Sequence, residues 1–332
     1  MTKVVLFHET GPADVLRIED LPQQEPRENE VRVRVEAIGL NRAEIMFRTG
    51  AYLEAPQFPA RLGLEAAGVV DAVGPGVTGI TVGDRVSTVP SFSMNSHGVY
   101  GESAIVPAHA VVRHPTNLSA LEGASIWTQY LTVWGALIHY GKVRAGENIL
   151  ITAARLAAID LANLLGARPI AVTRTSAKKK TLLDLGAAEV IASTEEDLPE
   201  AVRRYTDGKG ADLIFDAVAG PFLETLSQGA APGAQIIEYG WLSAEPTPFP
   251  LFTSFQKGLT VRGYTIYEFV NDRLLRPEAE KFIAAHLAKG TLRPRIDRTL
   301  PLSQIVDAHR YLESNQQVGK VVVTINENSN AN

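Results

Sequence analysis

Residues 173–180 read Thr-Arg-Thr-Ser-Ala-Lys-Lys-Lys, hydroxyl and basic side chains with no acid among them. Groups of this kind hold an anion by charge and hydrogen bonding. A positive cluster at a helix start works against the helix dipole unless an anion sits there; the alternative is a solvated basic helix face. A second segment, Ala153-Ala154-Arg155, separates an apolar run from an apolar helical pattern and contains no glycine. Other groups that do chemistry are sparse. His8, His97, His109, His114, His139, His286 and His309 form no short-spaced pair, and no cysteine is present to supply a thiolate for zinc or a disulfide.

These segments sit on recognisable elements. Residues 148–153 are a short run rich in Ile and Leu, as a buried parallel strand requires. Residues 156–165 carry apolar side chains at helical spacing, closed by Gly166. Residues 169–173 form a second apolar strand. Strand, helix, strand is the first unit of a dinucleotide-binding sheet. Such a sheet normally places a G-x-G-x-x-G-like loop after the first strand, where backbone N–H groups reach a pyrophosphate. Here 153–155 stands in its place. Further strands are expected at 188–192, 211–217, 233–239 and 259–264, and helices at 155–165, 177–185, 198–206, 221–228 and 275–289. That alternation predicts a doubly wound parallel sheet.

Residues 1–120 read as all-β, with strands at 30–37, 68–73, 84–89, 103–107 and 110–114, interrupted by a short helix within 41–50. Ser119 and Glu122 make a capping-box pair at the start of a helix spanning 119–141. After Gly290, a strand at 295–301, a helix at 303–314 and a strand at 320–325 return to the β-rich character of the first domain and complete its sheet. The 332 residues suffice for two domains, and 45% hydrophobic with 21% charged residues is an ordinary globular balance. A net charge of −5 with scattered basic residues argues against a nucleic-acid surface. There is no 18-residue apolar span and no secretory segment, so a cytoplasmic protein without membrane contact is expected. The tail 326–332 is expected to be disordered.

The element order and several motifs resemble the medium-chain dehydrogenase/reductase superfamily. The motifs are Gly39-Leu40-Asn41-Arg42-Ala43-Glu44, Gly63-Leu64-Glu65-Ala66-Ala67-Gly68, Val82-Gly83-Asp84-Arg85-Val86, Tyr100-Gly101-Glu102, Leu131-Thr132, Asp216-Ala217-Val218-Ala219-Gly220 and Val318-Gly319-Lys320. They narrow the resemblance to the zinc-independent quinone oxidoreductase-like branch. The implied fold is α/β plus β: a GroES-like β-rich catalytic domain, 1–122 and 291–332, with an inserted Rossmann-type doubly wound parallel sheet, 123–290. Zinc-dependent relatives ligate metal with a cysteine at the position of Asn41 and a histidine at that of Leu64; only Glu65 remains here, so no metal is expected and Glu65 is read as structural.

The resemblance implies NADP(H) as cofactor. Lys178 matches the family's phosphate-binding lysine, with Arg174, Thr175 and Ser176 beside it at the 2′-phosphate. Asn41 and Thr132 match positions at the nicotinamide, and Tyr239, Gly240, Trp241 and Thr265 border it; packing is the alternative for each. Ser193 falls where some relatives place a tyrosine against the adenine. Ala154 and Arg155 occupy the pyrophosphate position, about four residues short of the usual loop. The first helical turn is expected to unwind to make the connection. Three readings stay open there: a genuine or introduced shortening, a disordered loop not included in the chain, and a loss of cofactor binding.

The implied reaction is hydride transfer to a quinone or an α,β-unsaturated carbonyl, a small electrophilic substrate. Asn41 and Tyr52 are the candidate catalytic residues, Tyr52 as proton donor; some relatives carry a tyrosine where this chain has Met46. Phe47, Trp127, Trp241, Tyr264 and Tyr267 either line an apolar pocket or pack the core. An enoyl-thioester or aldehyde reductase on the same scaffold is the alternative enzyme. A cofactor-impaired variant or a structural protein is the alternative from another class. A homodimer joined near 259–264 is expected from the family.

Overall fold

The structure, a computed structural model, describes residues 1–325; the expected disordered tail 326–332 lies outside the described residues. The chain divides into two compact units, Met1–Gln129 with Val270–Asn332, and Tyr130–Phe269. By compactness the bounds are 129/130 and 269/270, beside the expected 122/123 and 290/291. The helix Leu275–Ala288 goes with the first unit because Arg276 on its first turn donates to Ser91 Oγ (3.2 Å) and to the carbonyl of His109.

The first unit is built around the strand Glu30–Gly39. Val31, Val33, Val35 and Ala37 alternate inward and are buried, the period-2 pattern of a strand with one face on the core. Burying each valine contributes on the order of 2 kcal/mol. The strand pairs antiparallel with Ala66–Val73, Ser103–Pro107 and the C-terminal strand Lys320–Thr324. The last pairing sets Val322 against Gly39 and Val323 against Ile38, so the returning chain completes the sheet. All five residues of Lys320–Thr324 are buried. Its leading lysine therefore needs a partner inside the unit.

The second unit holds a six-stranded parallel sheet. Its order is Glu189–Ala192, Arg168–Thr173, Asn148–Ile151, Ala211–Asp216, Ala230–Glu238, Thr260–Gly263. The order reverses between Asn148–Ile151 and Ala211–Asp216, the topological switch point at which such sheets bind ligands. Ile149, Leu150, Ile151, Ile170, Ile214 and Ile236 are buried between the covering helices. This is the doubly wound sheet expected from the alternation.

Three local differences have physical causes. The helix expected across 119–141 is broken into Ala120–Gly123, Trp127–Trp134 and a π-helical stretch Gly135–Tyr140. The Ser119–Glu122 box does form, but a Cβ at Gly135 would lie 2.2 Å from Tyr264 Oη, and Gly141 N–H reaches back five residues to Ala136 O. Two short helices, Leu251–Lys257 and Tyr267–Val270, lie where no helix was expected. The expected strand 148–153 ends at Ile151, and the reversal is completed by Thr152–Ala154 with Ala153 in the left-handed region (φ 53°, ψ 23°). The helix Leu156–Leu164 then starts directly, so its first turn is not unwound. One positive-φ residue makes the reversal for which an unwound first helical turn was expected.

Candidate functional site

In the first unit, a buried polar cluster forms where the end of Glu30–Gly39, the helix Arg42–Arg48 and the start of Ala66–Val73 come together. Lys320 Nζ donates to Glu65 Oε2 at 2.6 Å and to Asn41 Oδ1 at 2.5 Å. Glu65 Oε1 accepts from the Thr128 N–H at 3.2 Å. Thr88 fixes the flanking backbone: its hydroxyl donates to Leu64 O and accepts from Ala66 N–H. Gly39 makes the approach possible, because a Cβ there would lie 1.8 Å from Ala124 O and 2.9 Å from Lys320 Cε.

Asn41 is the hub of this cluster. Its Nδ2 faces Gly39 O at 3.1 Å and Glu44 Oε1 and Glu65 Oε2 at 3.3 Å. Its backbone N–H donates to Glu44 Oε2 at 2.5 Å, one half of a capping box. Both ends of the amide are thus engaged inside the unit. Burial pushes the Glu44 carboxyl up to about 7, against the opposing pull of Lys320 and Asn41. Among the described residues, no group of three or more His, Cys, Asp or Glu side chains is arranged to hold a metal ion.

Tyr52 packs edge-on to Phe47 at 6.5 Å and borders the main core of the first unit. Phe47 is fully buried against Phe7, and Trp127 is fully buried too. Both are packing residues of that unit. Tyr264 is a buried packing residue of the second unit, edge-on to Tyr140 at 5.5 Å. Trp241 is 41% exposed.

In the second unit, the switch-point edge of the sheet gathers a second polar cluster. Asp216, at the end of its strand, accepts from Thr152 Oγ1 at 2.5 Å and from the N–H groups of Val218 (3.0 Å) and Ala219 (2.7 Å). Glu238 is its neighbour in register on the next strand. Burial and the Asp216 charge push the Glu238 carboxyl up to about 9, so it is a neutral acid at pH 7. Tyr239 follows, stacked flat on Phe215 at 3.8 Å. The Arg155 guanidinium carbon lies 5.9 Å from the Tyr239 ring centre. Among the described residues the buried Arg155 Nε and Tyr239 Oη meet no hydrogen-bond acceptor in good geometry, although the two side chains act on each other. Ala154 lies on the turn just before Arg155. Gly240 packs on the Ala217 backbone, where a Cβ would come within 3.1 Å of its carbonyl.

The basic segment leaves the strand Arg168–Thr173 and turns into the helix Lys179–Asp184, with Thr175, Ser176 and Lys178 on the intervening turn. Arg174 O accepts from both the N–H and the hydroxyl of Thr194. The segment itself holds no acid, yet Glu195 reaches across from the turn after Glu189–Ala192 and accepts from Ser176 N–H at 3.0 Å. Thr132 lies on the helix Trp127–Trp134. Thr265 donates its N–H to Glu268 at 3.0 Å at the head of Tyr267–Val270. The sequence reading missed Lys320, Asp216, Glu238 and Glu195 as site residues. A lysine heading an otherwise apolar strand, and an acid ending each of two apolar strands, were the available signals.

A family model for the zinc-binding dehydrogenase domain matches residues 156–284, and one for the alcohol dehydrogenase GroES-like domain matches residues 27–116. A quinone oxidoreductase of Pseudomonas aeruginosa is 31% identical, covering 97% of this chain and 99% of that protein. A 2-haloacrylate reductase of a Burkholderia species is 28% identical, covering 97% and 99%. The crystal structure of Escherichia coli quinone oxidoreductase complexed with NADPH superposes with a TM-score of 0.89 at 29% identity, covering 97% of this chain and 99% of that one.

Proposed function

The chain belongs to the medium-chain dehydrogenase/reductase superfamily, in its quinone oxidoreductase-like branch, and on that premise we propose that it is an NADPH-dependent, zinc-independent reductase of quinones or activated alkenes. The observation that carries the cofactor is the switch-point edge of the second unit. Arg155, which makes no ion pair among the described residues and lies against Tyr239, suits an anionic dinucleotide, and Arg174, Thr175, Ser176 and Lys178 suit its 2′-phosphate. The NADPH-bound neighbour and the quinone and haloacrylate reductases among the relatives support the same cofactor and substrate class.

Zinc does not fit the first unit's cluster. A catalytic zinc site takes three protein ligands and an open position. Here the Lys320 ammonium already neutralises Glu65, and Asn41 and Leu64 stand at the other two positions. The reaction is therefore assigned no Lewis acid.

NADPH, when bound, supplies the hydride. Thr132, Trp241 and Thr265, with the Tyr239–Gly240 backbone, would hold the nicotinamide end. In the first unit, Asn41 is held by the Lys320–Glu65–Asn41 network. Tyr52 supplies the proton to the reduced acceptor. Exclusion of water and positioning, rather than covalent chemistry, carry the acceleration. An enoyl-thioester or aldehyde acceptor is the second reading on the same residues.

The protein is further read as a cytoplasmic homodimer. Among the described residues no helix is long and apolar enough to cross a membrane. Among the described residues the edge strand Thr260–Gly263 has one unpaired side, and Phe252 and Phe255 on the preceding helix Leu251–Lys257 are 72% and 77% exposed. Free edges and exposed aromatics favour pairing with a second copy.

Titration with NADPH and NADH, read by tryptophan quenching, tests the cofactor. A panel of quinones, enones and haloacrylates, read by loss of reduced-nicotinamide absorbance, tests the substrate. Absence of saturable binding of either nucleotide overturns the reading.

A further inference from the structure

We infer that Arg155 and Tyr239 together form a side-chain site for the diphosphate of the dinucleotide, in place of the backbone donors of a glycine-rich loop. The inference rests on the NADPH reading above and names how this chain's own turn meets that cofactor. The location is the C-terminal end of Asn148–Ile151 at the point where strand order reverses. The three-residue turn Thr152–Ala154 is too short to wrap a diphosphate in successive N–H groups.

What stands there instead is a cation and a phenol. Arg155 is the N-cap residue of the nine-residue helix Leu156–Leu164, and no side chain caps that helix. Ala158 and Ile159 donate to Arg155 O, which leaves the N–H groups of Leu156 and Ala157 as the first-turn donors without an intrahelical acceptor. A guanidinium at a helix N-terminus opposes the helix dipole, so the arrangement is favourable only with an anion present. Among the described residues no ion pair includes Arg155, although Asp216 and Glu238 both act on the Tyr239 phenol that it lies against. Asp216 spends its oxygens on Thr152, Val218 and Ala219, and Glu238 is held neutral beside it. Neither captures the guanidinium.

Tyr239 is fixed rather than mobile. Its ring lies flat on Phe215, with planes 7° apart, and its N–H donates to Asp216 O at 2.9 Å. Among the described residues its buried Oη and the buried Arg155 Nε meet no acceptor in good geometry, and the guanidinium acts on the phenol rather than on a carboxylate. Native interiors rarely leave such donors unpaired, because each forfeits its hydration for nothing. A diphosphate supplies acceptors for both and neutralises the arginine.

The test is equilibrium binding of NADPH, NADH and ADP-ribose to wild type, Arg155→Ala, Arg155→Lys, Tyr239→Phe and Lys178→Ala. All three ligands carry the diphosphate; only NADPH carries the 2′-phosphate. Arg155→Ala is expected to weaken all three by the same factor, roughly 10- to 100-fold. Arg155→Lys keeps part of the affinity, and Tyr239→Phe loses a few-fold on all three. Lys178→Ala weakens NADPH alone. Unliganded melting temperatures, and the two conservative variants, separate binding loss from misfolding. Unchanged affinities in Arg155→Ala or Arg155→Lys overturn the inference and leave the reductase reading intact. A wild type that binds none of the three overturns both.

Discussion

Lys320 Nζ and Glu65 Oε2 lie 2.6 Å apart, with the lysine side chain only 7% exposed and the glutamate fully buried. Removing one member of a buried pair strands the other charge, at a cost of roughly 3–5 kcal/mol. Lys320→Met is therefore expected to lower unfolding free energy by about that amount, measured in urea. Lys320→Met with Glu65→Gln recovers much of the loss. A Lys320→Met protein as stable as wild type contradicts the ion-pair account.

Glu195 holds the Ser176 N–H that an incoming 2′-phosphate would use. Its negative charge stands against the phosphate. Glu195→Gln is expected to raise NADPH affinity by about three- to tenfold with NADH unchanged, since one nearby like charge is worth on the order of 1 kcal/mol at a surface. Equal effects on both nucleotides contradict this role.

Glu44 sets an alkaline limit to stability. Burial, which disfavours its charge, pushes the folded carboxyl from the ordinary 4.5 up to about 7. A raised folded value means that its contribution is complete below pH 4.5 and is lost as pH rises through 7. The unfolding free energies of wild type and Glu44→Gln are expected to diverge by about 3 kcal/mol over that interval. The opposite sign holds for His309, pulled down to about 3 by burial and Arg48: its contribution is present above pH 6.5 and lost as pH falls toward 3. Parallel pH profiles for wild type and Glu44→Gln sink the first claim.

Phe252 and Phe255 test the assembly. With both replaced by aspartate, size-exclusion chromatography with light scattering is expected to show a monomer that still binds NADPH, while wild type runs as a dimer. A wild-type monomer removes the homodimer reading.

Tyr52 tests the proton step. Tyr52→Phe keeps the contact with Phe47 and loses only the hydroxyl. General-acid removal lowers kcat by about 10²-fold or more with NADPH affinity unchanged. An unchanged kcat assigns the proton to solvent.

Much of this architecture was legible in the residues. The alternation at Val31, Val33 and Val35 and the apolar runs at 148–151 and 168–173 were strong enough to place strands within a residue or two. The basic turn before Lys179 was legible by composition. What was hidden depends on register and on neighbours far along the chain. Glu195 reaches Ser176, nineteen positions away, only because two parallel strands end side by side. Lys320 meets Asn41 across a separation of 279 positions because the last strand pairs with Glu30–Gly39. The Asp216–Glu238 pairing exists only once the two strands are in register. The broken helix after Ser119 follows from Tyr264 beside Gly135, a contact no local periodicity encodes.

The turn at Ala153 has a bearing on how such a chain changes over time. The strand Asn148–Ile151 is clamped by neighbours on both sides, and the helix after Arg155 is anchored by buried Leu156, Ala157 and Ile159. Residues added between them shift neither anchor. The strand–helix junction is thus a splice point in the fold. Insertions and deletions there retune the grip on a nucleotide while the hydrophobic framework stays where it is.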